Sequence, residues 1–123
     1  MHFESTFHFS FENLKVYQKV TEFGEVVNKV VEQLPSKEMY RLFSQFCRAA
    51  DSIAANISES SSSTDPNFNR YLKMAWEPSH ECVTWNTKAF LREYITPEQF
   101  EQNRTTLKES DKMISALRKQ LKS

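Results

Sequence analysis

The side chains that could act as nucleophiles or bind metal ions are few in this sequence. They are two cysteines and three histidines, Cys47, Cys82, His2, His8 and His80. The cysteines match no metal-binding spacing, and Cys47 has no histidine within sequence reach that could activate its thiol. Glu77 and His80 form one Glu-x-x-His pair, whereas a carboxylate-bridged di-iron bundle needs two such pairs and two further glutamates. The sequence therefore predicts no enzyme, no metal site and no cofactor.

Composition excludes several further classes of protein. Gly24 is the one glycine among 123 residues. A β-rich fold needs tight turns at positive φ, and phosphate-binding loops need several glycines, so both are excluded. The 16 basic and 16 acidic residues give a net charge of zero, which argues against a protein whose whole surface binds nucleic acid.

Targeting signals are absent from the sequence as given. The first residues lack the basic start, apolar run and cleavage site of a signal peptide. No apolar stretch reaches the roughly 20 residues that cross a bilayer. Together with two cysteines in no disulfide pattern, this predicts a cytoplasmic protein with free thiols and no membrane partner.

The elements that must position any site are predicted to be helices. Apolar residues recur every three or four positions in four segments, at about 11–34, 37–59, 66–94 and 97–121. Residues 1–10 precede them as an extended arm. Because the links are short, consecutive helices should run antiparallel. The sequence predicts an all-α, antiparallel up-down-up-down four-helix bundle, with residues 11–123 forming a single domain.

Capping residues and prolines mark the predicted helix ends. Ser10, Ser36, Asp65 and Thr96 are the predicted N-caps, and Gln99 completes a capping box with Thr96. Pro35 ends the first segment. Pro78 lies inside the third segment and leaves the Met74 carbonyl without a partner, so we expect a bend there. Residues 58–64 are serine-rich and predict a connecting loop, with a recognition or phosphorylation loop as the alternative.

Polar residues beside the apolar stripes are candidates for a structural role. They are Arg48, Asn56, Glu59, Arg70 and Glu81. In an antiparallel hairpin Arg48 lies opposite Glu77 or Glu81, and Glu59 lies opposite Arg70. We expect half-buried salt bridges there that specify the register of the two helices.

Basic residues are concentrated in the last segment. They are Arg104, Lys108, Lys112, Arg118, Lys119 and Lys122, against two acidic residues, Glu109 and Asp111. Cations near a helix C-terminus interact favourably with the helix dipole, which is a sufficient structural reason. The alternative is that these residues form an RNA- or DNA-binding edge.

Phenylalanines are unusually dense at the start of the chain, where Phe3, Phe7, Phe9 and Phe11 fall within nine residues. Exposed phenylalanines on an extended arm are a liability in a monomer. Phe3, Phe7 and Phe9 are therefore candidate subunit contacts, with packing on the arm's own bundle as the alternative.

Three segments of the chain resemble one known family. They are FENLKVYQK at 11–19, LPSKEMYRLFSQFCRAADSIAANISES at 34–60 and RYLKMAWEPSHECVT at 70–84. They are similar to the bacterial four helix bundle proteins, also called the 23S rRNA intervening-sequence protein family. The chain departs from the family pattern at Ser60, where relatives have glycine, and at Glu77 and Pro78, where they tend to have Gly-Ser.

The resemblance implies a partner as well as a fold. The family is similar to accessory proteins of diversity-generating retroelements, which form barrel-like homopentamers with a basic surface and bind nucleic acid with a reverse transcriptase. It implies a homo-oligomer, with a pentamer as the expected form, and nucleic acid or a nucleic-acid-bound protein as a further partner. Our prediction is a non-enzymatic assembly or accessory module of unknown biological role. The alternative is a weak RNA- or DNA-binding protein that uses the fourth helix.

Overall fold

A computed structural model of the chain describes residues 5–31, 36–60 and 65–121. The elements are a 3-10 turn at Ser10–Asn13, α1 at Lys15–Val31, α2 at Lys37–Ser60, α3 at Asp65–Met74, α4 at Trp76–Leu91 and α5 at Pro97–Gln120. These described ranges contain no strand, so the molecule is an all-α helical bundle, as predicted. No helix within them is both long enough and apolar enough to span a membrane.

The helices pack around one apolar core. α1 contacts α2 and α5, α2 also contacts α3 and α4, and α4 contacts α5. The Phe23 ring of α1 packs on the Phe46 ring of α2 with centroids 6.0 Å apart, and Phe46 stacks on Phe43 of the same helix at 6.0 Å. α4 and α5 run antiparallel, because Asn86 contacts Asn103 whereas the earlier Ser79 contacts the later Asp111. The up-down-up-down order of the whole bundle stays a prediction.

The first helix begins later than the sequence predicts. Residues 10–13 form a 3-10 turn, and α1 begins at Lys15 rather than at Phe11. Ser10 is not its N-cap, because the Glu12 carboxylate accepts a hydrogen bond from the Phe9 N–H at 2.8 Å and closes this separate turn. The predicted end of the helix before Pro35 lies outside the described residues.

Two of the predicted helix starts are confirmed by their hydrogen bonds. The Ser36 hydroxyl accepts from the Met39 N–H at 3.2 Å. At α5, Gln99 N–H donates to the Thr96 hydroxyl at 3.1 Å and the Thr96 N–H donates to the Gln99 side chain at 2.9 Å, forming the predicted capping box. α2 continues to Ser60, beyond the predicted start of the serine loop at residue 58, and residues 61–64 lie outside the described ranges.

The third predicted helix is two helices, because the bend expected at Pro78 breaks it. α3 ends at Met74 and α4 begins at Trp76, with Ala75 between them. The Ala75 N–H reaches the carbonyls of both Tyr71 and Leu72 at 3.2 Å, which closes α3. Pro78 then lies in the first turn of α4, where an N–H has no partner within the helix.

The end of α4 also differs from the prediction, at Leu91 rather than Tyr94. Glu93 adopts a left-handed conformation, with φ 61°. The Tyr94 N–H donates to the Ala89 carbonyl at 2.8 Å and the Glu93 N–H donates to the Phe90 carbonyl at 2.9 Å. These two bonds form a Schellman motif, which ends a helix and usually has glycine at the left-handed position.

Candidate functional site

Four of the six basic residues that are candidates for nucleic-acid contact line one groove beside α5. They are Arg104, Lys108, Lys112 and Lys119. Spacings of four, four and seven residues place them on one face of the helix. The groove has a volume of about 720 Å³ and is also lined by Val83 of α4, Glu101 and Asp111. We call it the basic groove.

Two acidic residues of α5, Asp111 and Glu109, contact other helices. Asp111 accepts a hydrogen bond from the Ser79 hydroxyl at 2.8 Å, so its carboxylate is engaged by α4. Glu109 forms an ion pair with Lys19 of α1 at 2.6 Å. The Lys19 ammonium offsets the charge of Glu109, whereas Glu101 and Asp111 are acidic lining residues of the basic groove itself.

The remaining basic residues of the last segment are not in the basic groove. Arg118 is half-buried, and its Nε donates to the Asn69 side-chain oxygen at 2.8 Å, which joins α5 to α3. Lys122 lies outside the described residues. Arg118 therefore contributes to helix packing. The charge pattern alone did not distinguish it from the basic residues on the surface.

The salt bridges expected of Arg48 and Arg70 are not formed in the described ranges. Arg48 and Glu81 are exposed, and no ion pair joins Arg48 to Glu77 or Glu81 there. The Arg70 guanidinium lies over the Tyr71 ring, 5.2 Å from its centroid, rather than on Glu59. Exposed ion pairs contribute little net free energy, so the exposed Arg48 and Glu81 side chains are not drawn together.

Asn56 has a local role within its own helix. It is half-buried, and its amide donates to the Ser52 carbonyl at 3.0 Å. The partner is one turn back in α2, so the bond does not fix the register between two helices. The predicted structural role of Asn56 stays a prediction, and the observed bond is local to α2.

Sequence reasoning missed a row of hydrogen bonds that joins α3 and α4 to α5. We call it the polar seam; it consists of Asn69–Arg118, Ser79–Asp111 and the pair Asn86–Asn103. Asn86 is fully buried, accepts from the Asn103 amide at 2.8 Å and donates to the Phe100 carbonyl at 3.1 Å. A signal existed in the sequence, because the buried row Leu72, Ala75, Ser79, Cys82, Asn86 and Ala89 steps by threes and fours.

The two thiols have little nucleophilic character. Burial, and then the carboxylates of Asp51 and Glu25, raise the pKa of Cys47 to about 11. Burial above all raises the pKa of Cys82 as well. Nucleophiles and metal ligands need the thiolate, which these surroundings disfavour. Within the described residues no three histidine, cysteine or acidic side chains are grouped so that they could hold a metal ion.

The N-terminal arm leaves two of its phenylalanines in solvent. Phe7 is 78% exposed and Phe9 is 62% exposed. Phe9 stacks on Phe11 at 5.8 Å, and Phe11 meets the Tyr17 ring edge-on at 5.0 Å, so the arm is joined to α1 through Phe11. Phe3 lies outside the described residues. Packing on the arm's own bundle therefore does not cover Phe7 and Phe9.

An apolar groove lies between the start of α1 and the end of α5. It has a volume of about 210 Å³ and is lined mainly by Leu14, Val16, Met113 and Leu117. Leu14 directly follows the 3-10 turn that ends the arm. We call this surface the apolar groove.

The fold and these surfaces define a small all-α bundle with a basic groove beside α5 and an N-terminal arm on which Phe7 and Phe9 are exposed. The family model for the 23S rRNA-intervening sequence protein matches residues 12–116, so the chain belongs to that family. The resemblance carried by the three sequence segments is thereby confirmed.

A solved structure is similar to most of the chain. It is the crystal structure of a protein of unknown function from the S23 ribosomal protein family of Bacteroides thetaiotaomicron VPI-5482. The two chains are 26% identical with a TM-score of 0.77, and the match covers 85% of this chain and 95% of that one. No curated protein matches the chain.

Proposed function

We propose that this protein is a non-enzymatic bundle that assembles with copies of itself through its N-terminal arm. The exposure of Phe7 and Phe9 is the observation that carries the proposal. Buried aromatic side chains contribute roughly 150–250 Å² each, and each Å² removed from water stabilises by about 25 cal/mol. Covering both rings on a neighbour is therefore a substantial driving force for association.

The apolar groove is the surface on which a neighbour's arm would lie. Arm and groove are different surfaces of the same chain, so their contact is heterologous, and heterologous contacts generate rings when the rotation closes. This agrees with the pentamer that the family resemblance implies. When the arm of one subunit binds in the apolar groove of a neighbour, the first subunit's apolar groove stays free to bind the arm of another copy.

The non-enzymatic part of the proposal is supported by the state of the thiols. The raised pKa values of Cys47 and Cys82 leave both largely protonated at neutral pH. The role remains that of an assembly or accessory module, and the cytoplasm stays the location that we predict from the sequence.

Light scattering after size exclusion tests the proposed assembly. At micromolar concentration we expect an oligomer for the wild type and a smaller species for the Phe7→Ser/Phe9→Ser variant, with unchanged helix content. The matched control is Val26→Ser/Leu91→Ser, which removes two apolar side chains that are 53% and 72% exposed elsewhere. A monomeric wild type, or equal dissociation by both variants, would overturn the proposal.

RNA or DNA binding by the basic groove is the second candidate function. Its support is the convergence of Arg104, Lys108, Lys112 and Lys119 on one face. Binding to rRNA fragments should weaken steeply with salt, and each phosphate contact removed should lower the log–log slope by about 0.7–0.9.

Two variants that lose the same charge distinguish RNA binding at the basic groove from non-specific electrostatic attraction of RNA to the protein. We expect Lys108→Gln/Lys112→Gln/Lys119→Gln to lose most of its affinity for RNA. Lys15→Gln/Lys29→Gln/Lys73→Gln removes the same charge from exposed lysines outside the basic groove. Equal losses for the two variants, measured by fluorescence anisotropy, would count against the basic groove.

A further inference from the structure

A second cationic groove lies between the start of α2 and the end of α4. It is lined by Glu38, Arg41 and Gln45 of α2 and by Trp85, Arg92 and Tyr94 at the end of α4 and in the turn after it. Its volume is about 700 Å³. We call it the α2–α4 groove. It shares no lining residue with the basic groove.

The α2–α4 groove presents cations that are free to bind an anion. Arg41 and Arg92 are exposed, and no ion pair engages either one in the described part of the chain. Lys88 is not a lining residue, but its Nζ lies 5.4 Å from the centroid of the Trp85 ring. Glu38 is the one acidic lining residue. Guanidinium groups bind phosphate through paired N–H donors, so two of them in one groove favour a phosphate group.

The same groove presents aromatic rings. Trp85 and Tyr94 are half-buried and pack partly against the core, with the rest of each side chain lining the groove. Because they pack against the core, these rings are held in place for a base to stack on. Stacking of a base on an aromatic side chain contributes about 1–3 kcal/mol to binding. The Gln45 amide supplies a donor and an acceptor that can pair with the edge of a base.

The backbone explains why these residues come together. The left-handed Glu93 reverses the chain after α4, and the hydrogen bond from the Tyr94 N–H to the Ala89 carbonyl holds Tyr94 against the end of the helix. Arg92 and Tyr94 thereby line the same groove as Trp85, which lies about two to two and a half helical turns earlier in the sequence.

We propose that the α2–α4 groove binds a nucleotide. The phosphate lies between Arg41 and Arg92, and the base stacks on Tyr94 or on Trp85. The ligand is a free nucleotide or an unpaired nucleotide of a single strand, since bases inside a duplex are stacked on one another and cannot reach the rings. This site is independent of the proposed self-assembly and of the basic groove.

Calorimetric titration of the full chain tests the proposal with four probes: AMP, adenosine, inorganic phosphate and a five-nucleotide single-stranded RNA. We expect saturable binding of AMP or of the RNA at one site per chain, at least tenfold tighter than adenosine or phosphate alone. Binding of AMP would identify the ligand as a free nucleotide, and binding of the RNA without binding of AMP would identify it as a nucleotide within a single strand. No saturable binding of either at millimolar concentration overturns the proposal.

Three variants locate the binding. Arg41→Gln/Arg92→Gln should weaken it at least tenfold without unfolding, because both side chains are exposed. Arg48→Gln, on the same helix but outside the groove, should bind as the wild type does. The basic-groove variant Lys108→Gln/Lys112→Gln/Lys119→Gln should keep its affinity for AMP. Unchanged affinity in the Arg41→Gln/Arg92→Gln variant would place the site elsewhere and contradict the proposal.

Discussion

The carboxylate of Asp51 occupies the space that a side chain at Gly24 would need. Its Oδ1 lies 2.7 Å from the position that a Cβ atom of residue 24 would take. Burial, and then the charge of Glu25, raise the pKa of Asp51 above its ordinary value of 3.8. The one glycine of the chain therefore lets a carboxylate of α2 lie close against α1.

Replacing Gly24 by alanine sets two effects against each other. Alanine is more favourable than glycine in a helix interior by about 1 kcal/mol. The new methyl group meets the end of the Asp51 side chain, which is exposed enough to rotate into water. We expect Gly24→Ala to raise the free energy of unfolding by up to about 1 kcal/mol in urea titrations, and the pKa of Asp51 to fall. Gly24→Val should be less stable than Gly24→Ala, and a destabilised Gly24→Ala would show that Asp51 is held in place.

The raised pKa of Asp51 predicts how stability depends on pH. The folded state holds this proton more tightly than the unfolded state, so the contribution of Asp51 to stability falls as pH rises from 3.8 through the folded pKa. Asp51→Asn removes the charge, and we expect it to be more stable than the wild type at pH 7. The difference should shrink below pH 3.8 in thermal unfolding series. A constant difference across this range would exclude titration as its cause.

Asn86 is the buried centre of the polar seam. Asn86→Ala leaves the Asn103 amide and the Phe100 carbonyl without this partner, which should cost about 1–3 kcal/mol. Replacing both asparagines, as in Asn86→Leu/Asn103→Leu, removes donor and acceptor together and should cost less than the sum of the two single changes. Chemical denaturation of the wild type, Asn86→Leu, Asn103→Leu and the double variant gives the coupling energy, and additive losses would mean that the two side chains act independently.

Glu93 is a non-glycine residue at the left-handed position of the Schellman motif. This conformation costs an L-residue roughly 1–2 kcal/mol, a cost that glycine does not have. We expect Glu93→Gly to raise the unfolding free energy by about 1 kcal/mol. The control is Glu101→Gly, in the body of α5, which should lower it by about 1 kcal/mol. Thermal melts that move in the same direction for both variants would contradict the assignment of the motif.

Cys47 should react slowly despite its partial exposure. A pKa of about 11 instead of 9.0 reduces the thiolate fraction at pH 8 by about 100-fold. Alkylation with iodoacetamide, followed by peptide mass spectrometry, should modify Cys47 slowly and the fully buried Cys82 only on unfolding. Rapid modification of Cys47 at pH 7 would reveal an activated thiol and reopen the question of catalysis.

Local hydrogen-bond chemistry made several elements predictable from the sequence alone. Ser36 and the Thr96–Gln99 box begin their helices as expected, since each cap bonds to an N–H three residues away. Pro78 interrupts a helix for an equally local reason, the loss of one N–H donor. The early end of α4 was missed because glutamate rarely adopts the conformation of Glu93, so residue type gave no warning.

The candidate grooves are formed by the way the helices pack, that is, by which face each helix turns towards its neighbours. The local sequence does not specify these faces. The basic pattern identified six cations, but only the packing of α5 against α4 and α3 placed four in the basic groove and turned Arg118 inward to Asn69. The partners Asn69–Arg118 and Ser79–Asp111 are 49 and 32 residues apart. Helical periodicity determines which residues share a face of one helix, whereas the rotation of each helix is set by the whole core that it helps to bury.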